Sequence, residues 1–146
     1  MSAPATRPRL SRLSASDWLL LAEALATLAV ASLAIAVLPF RKVAAAASSP
    51  GRKAHPARDR SVARALWAVQ AWAWRVPWRT VCFQRGLALH WMLRRRGIDS
   101  VLLYGVRRDG EGLAVHVWVD VDGETVIGGA EAPSFACLAR FPPDAD

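Results

Sequence analysis

Cysteine is scarce, with only Cys82 and Cys137 in 146 residues. That is too few for the disulfide framework that staples small secreted domains, so a reducing, cytoplasmic setting is expected. Neither cysteine belongs to a CxxC pair, and the three histidines, His55, His90 and His116, lack zinc-ligand spacing; no metal or other cofactor is expected. Acidic residues are outnumbered, 12 against 19 Lys and Arg, which leaves a formal charge of +7. Such a balance suits nucleic acid, anionic lipid or an acidic peptide. No aromatic residues interleave the arginine clusters, including Arg94, Arg95 and Arg96, and no helix-turn-helix or zinc-finger spacing is present, so no nucleic-acid partner is expected. Apolar residues are abundant, at 53%, with seven tryptophans. That is enough surface for one compact core carrying a helical extension, but the length is short for two separate cores.

The polar, basic residues 1–17 read as a loose arm. Residues 18–40, WLLLAEALATLAVASLAIAVLPF, are almost unbroken apolar with Glu23 as the sole charge. Their length suffices to span a bilayer. A signal peptide, a membrane-embedded or membrane-lying helix and a buried soluble helix all remain open, and Glu23 argues mildly against deep insertion. Residues 48–60, SSPGRKAHPARDR, read as a linker holding an idle His55. The expected division is therefore 1–60, an arm, apolar helical segment and linker, followed by 61–146, the core.

In the core, Ser61 can cap a helix running to about Val76, with Leu66, Val69, Ala73 and three tryptophans on its packing side and Pro77 as its stop. Thr80 stands where a second cap belongs, and residues 81–96 form the next helix, closed by Gly97. Period-two patterning then predicts strands at 100–106 and 113–121, with Asp122-Gly123 as a hairpin turn into 124–127. A short helix is expected over 134–140.

Cys82 thus falls in the first turn of a helix, where unpaired backbone amides and the positive end of the dipole favour a thiolate and can donate to an oxyanion. His116 lies 34 positions later on a strand (116 − 82), sharing a face with Ala114 and Trp118. A helix packed on that face would bring thiol and imidazole together, although a buried inert cysteine and a core histidine are each the commoner fate. His90, two turns along the helix, reads as packing, and Cys137 as an inert buried thiol.

The run CFQRGLALHWMLRRRGIDSVLLYGV, followed by VHVWVDVDG and VIGG, resembles the Cys and His blocks of the transglutaminase-like cysteine peptidases that remove leader peptides during lasso-peptide maturation. The upstream apolar segment ending in Leu-Pro-Phe and the stretch WRVPWR extend the resemblance over residues 13–139. It implies an α+β papain/transglutaminase-like core, with a nucleophile helix packed on an antiparallel sheet. It also implies a Cys82 acyl-enzyme with His116 as general base. The implied partners are a precursor peptide with its leader, a separate leader-recognition protein and the lasso cyclase. Gln84 and Trp118 are carried as substrate or oxyanion contacts.

The resemblance further implies an aspartate orienting the histidine, yet a two-residue turn at Asp122-Gly123 places His116 opposite Gly129, with Gly128 adjacent. Asp120 shares the histidine's face and is carried as the third member, although about 13 Å of strand separates them. The missing aspartate keeps open a second possibility, a catalytically inactive, membrane-associated scaffold of the maturation complex.

Overall fold

A computed structural model describes residues 13–47, 58–76 and 82–142. Four helices precede a small sheet: α1 (Ala15–Val37), α2 (Phe40–Ala47), α3 (Arg58–Ala73) and α4 (Cys82–Arg95), then β1 (Ser100–Asp109), β2 (Gly112–Val121), β3 (Glu124–Ile127) and β4 (Ala136–Phe141). The sheet is antiparallel in the order β3-β2-β1-β4. This is the expected α+β architecture with an N-terminal helical extension.

α1 begins inside the segment read as a loose arm. Ser14 Oγ accepts from the Asp17 amide at 3.2 Å while the Asp17 carboxylate accepts from the Ser14 amide at 3.0 Å, a reciprocal capping box whose S-x-x-D spacing was visible in the sequence. Pro39 ends the helix, because the residue before proline is pushed out of the helical region and Leu38 is extended. α3 starts three residues before Ser61, so that serine is internal rather than a cap. The expected Thr80 cap, the Pro77 stop and His55 lie outside the described residues. α4 closes as expected, with Gly97 at φ 75° and the Ile98 amide donating to the Leu93 carbonyl, a Schellman ending.

One hydrophobic core draws on both sides of residue 60. Leu21, Ala24 and Leu28 of α1 meet Val69 of α3, Leu87 and Met92 of α4, and Val117 and Val119 of β2, all buried. The only acid of α1 beyond its cap, Glu23, pairs with Arg96 and with Arg95 at 3.0 Å, and Arg96 above all holds its carboxyl below the usual range. α1 is thus fastened to the far end of α4. α2 is fastened through His90, whose Nε2 lies 2.7 Å from the Ala47 carbonyl and whose Nδ1 lies 2.7 Å from Ser100 Oγ. The carbonyl can only accept, so Nε2 carries the proton and Nδ1 accepts from the hydroxyl. Burial pushes this imidazole down to about 4, which keeps it neutral and both bonds intact.

The C-terminal stretch corrects one expectation. Residues 134–140 form no helix: a 3-10 turn at Ala132–Ser134 leads into β4, which pairs with Leu102 to Val106 of β1. An otherwise open strand edge takes these residues, and ladder pairing overrides their local pattern.

Candidate active site

Cys82 is the first residue of α4 and is half-buried against the core. An aromatic group stands beside it. Phe83 lies 6.3 Å from Tyr104, and Phe40, at the start of α2, lies 5.4 Å from Tyr104 and 6.0 Å from Phe141, centroid to centroid. The Leu-Pro-Phe corner therefore reaches the nucleophile end of α4. Gln84, two residues on in the same first turn, is half-buried.

α4 lies on the sheet by its small side. A Cβ on Gly86 would stand 3.0 Å from Val117, 3.3 Å from Leu102 and 3.7 Å from Val119, so the helix covers the face carrying Val117, Val119 and their β1 partners Tyr104 and Leu102. Alternation sends His116 and Trp118 to the opposite face. There Trp118 stacks on His116 at 5.9 Å and Phe135 closes over the imidazole at 5.1 Å. Gly105, the cross-strand partner of His116, is small because a Cβ would meet the Trp118 ring at 2.8 Å.

The expectation that α4 packs on the histidine's face is corrected. The odd positions of LAVHVWVDV from 115 on are all valine, and an apolar helix buries itself on the apolar face. Cys82 and His116 belong to contacting elements but are carried on opposite sides of β2.

His116 is held by the segment after β3. Its Nε2 lies 2.8 Å from the Gly128 carbonyl, to which it donates, and its Nδ1 lies 3.7 Å from the Glu131 carboxylate. The turn itself is as expected, with Asp122 at φ 53° and Gly123 at 79°, and Val121 pairs with Glu124. The register beyond it is not. A bulge sets Val119 opposite Ile127, and Gly128, at φ 79°, turns the chain under His116 rather than along β2. A Cβ there would meet the Val117 carbonyl at 2.8 Å, so only glycine fits this crossing. A glycine carbonyl thus occupies the neighbourhood where an aspartate was sought.

Asp120 is engaged elsewhere, accepting from Thr125 Oγ1 at 2.6 Å. Glu131 is the carboxylate that faces His116, and no sequence spacing marked it, because the bulge and the Gly128 turn bring it there. Arg107 lies over Phe135 at 4.7 Å on the same side. Cys137, expected to be buried, is exposed on β4 because that segment is an edge strand.

The profile of the transglutaminase-like superfamily matches residues 24–140, from within α1 almost to the end of β4. No curated protein and no solved structure matches the chain. With a cysteine opening a helix on an antiparallel sheet and a histidine on the second strand, the chain belongs to the transglutaminase-like superfamily.

Proposed function

We propose that this chain is a cysteine peptidase that cuts the leader from a ribosomally made lasso-peptide precursor. The observation that carries it is the position of Cys82 as the opening residue of α4, packed against the His116 strand, in a superfamily that includes cysteine peptidases and acyltransferases. The Cys82 sulfur attacks the carbonyl carbon of the scissile bond. His116 takes the thiol proton and passes it to the departing amine, and water then releases the leader from the thioester. The amides of the first turn of α4 donate to the oxyanion. A leader-recognition protein presents the precursor, and the cyclase takes the freed core peptide.

Formation of this pair requires His116 to leave the Gly128 carbonyl and reach the α4 side of β2. Residues 112–115 are largely exposed and β3 pairs only with residues 119–121, but β1 pairs with β2 over residues 112–121 and His116 itself is buried, so this movement requires the β1–β2 ladder to rearrange around His116. In the observed arrangement Glu131 is the carboxylate beside the imidazole, Asp120 is the secondary candidate for the third role, and Gln84 is carried as an oxyanion or substrate contact. The opposite-face placement favours a second function, an inactive scaffold of the maturation complex.

Incubation with precursor and recognition protein, followed by mass spectrometry, separates the two. Leader release by the wild type and none by Cys82→Ala or His116→Ala supports the peptidase. Equal product patterns from all three proteins support the scaffold.

A further inference from the structure

α1 is apolar on both sides although the fold covers only one. Leu20, Leu21, Ala24, Thr27, Leu28 and Ala31 face inward and are buried. Outward stand Leu19, Val30, Leu33 and Val37, which are 73%, 57%, 62% and 65% exposed, with the exposed Ala22 and Ala26 between them. At 100° and 1.5 Å per residue, positions 19, 22, 26, 30, 33 and 37 fall within about 80° of arc and run for about 27 Å. A helix on the surface of a water-soluble domain carries polar groups there. This stripe carries none, and Trp18 and Phe40 stand half-exposed at its two ends.

Two further features say what covers it. Residues 1–50 contain five cations, Arg7, Arg9, Arg12, Arg41 and Lys42, against two acids, Asp17 and Glu23. Both acids are already paired, with Arg64 at 2.9 Å and with Arg95 and Arg96 respectively. At the N-terminal end of the stripe a hollow of about 420 Å³ is lined by Arg60, Arg64, Arg96 and Glu23, with Ser16 and Ser61, above Leu19 and Leu20. Arg64 and Arg96 are engaged by Asp17 and Glu23, and the exposed Arg60 stands beside the apolar floor, a cation placed to meet a phosphate headgroup above the start of its acyl chain.

From these features we propose that α1 lies along the surface of an anionic bilayer, stripe inward, with the rest of the fold on the water side. Spanning is a different matter. Trp72 Nε1 donates to the Leu21 carbonyl at 2.8 Å, and Arg95 bonds Thr27 Oγ1 at 2.7 Å. Crossing the membrane would strip this inner face from α3 and α4 and carry Glu23 into hydrocarbon. Lying flat keeps the core whole and buries only the uncovered side. This surface is independent of the peptidase chemistry.

The test is co-flotation of the full chain with vesicles of phosphatidylcholine alone or with phosphatidylglycerol added. The wild type should float with the anionic vesicles and detach as salt is raised. Val30→Asp with Leu33→Asp should weaken binding by more than about tenfold, with an unchanged melt because both side chains are exposed. Arg41→Ser with Lys42→Ser should weaken it on anionic vesicles. Binding that is indifferent to phosphatidylglycerol or to the aspartates would overturn the proposal. So would a dimer in solution that the aspartates dissociate in a protein that ignores vesicles, since the stripe would then be a contact between copies.

Discussion

Acid should unfasten α2 from the core through a single imidazole. His90 is fully buried, with Ala47 as acceptor and Ser100 as donor. A second proton on its ring would reverse the Ser100 bond, turning the hydroxyl from donor to acceptor, and place a charge in the buried core. Burial first, and the nearby Arg94 charge as well, push its pKa from 6.5 to about 4. Between these values the unfolded chain binds the proton and the folded chain does not. The stability this group confers is therefore complete above about pH 6.5 and is lost as pH falls toward 4, a change on the order of 3 kcal/mol. Urea unfolding followed by tryptophan fluorescence should show midpoints falling through this window in the wild type. His90→Gln should start less stable, because Ser100 and Ala47 lose well-placed partners, yet fall less steeply. Equal slopes in the two proteins would refute the assignment.

Three other outcomes follow from the contacts. Gly105→Ala should cost about 1–3 kcal/mol in urea unfolding and alter the near-ultraviolet signal of Trp118, because its methyl enters the space of that ring. The imidazole proton signals of His116 in an NMR spectrum should move in Glu131→Gln and stay in place in Asp120→Asn, since Glu131 faces His116 and Asp120 is engaged by Thr125; the reverse order would return the third role to Asp120. Glu23→Gln should destabilise the fold by about 1–3 kcal/mol in urea unfolding, because Arg95 and Arg96 lose a shared half-buried partner.

Much of the architecture could be read from local pattern. The apolar segment, the Gly97 ending of α4, the Asp122-Gly123 turn and the first three strands each carry a signal spanning a few residues. What escaped the sequence was set by non-local pairing. β4 forms because β1 offers an edge, and Glu131 reaches His116 because a bulge between Val119 and Asp120 ends the ladder early. The face of His116 was legible but read the wrong way round. Alternation correctly placed it with Trp118, yet the run of valines at 115, 117, 119 and 121 already marked the other side for the helix. Cys82 was legible from its place after a turn and before an amphipathic helix. The Phe40 corner beside it was not, since nothing in residues 38–40 says where a helix end will dock.

The sulfur itself offers the most direct measurement. A precursor-derived peptide spanning the scissile bond, mixed with the full chain and recognition protein and quenched in acid within the first turnover, should leave a thioester of leader mass on the tryptic peptide containing Cys82. His116→Ala should leave that peptide unmodified. Leader released while Cys82 remains unmodified, or released at an undiminished rate by Cys82→Ala, would contradict a cysteine nucleophile at the start of α4.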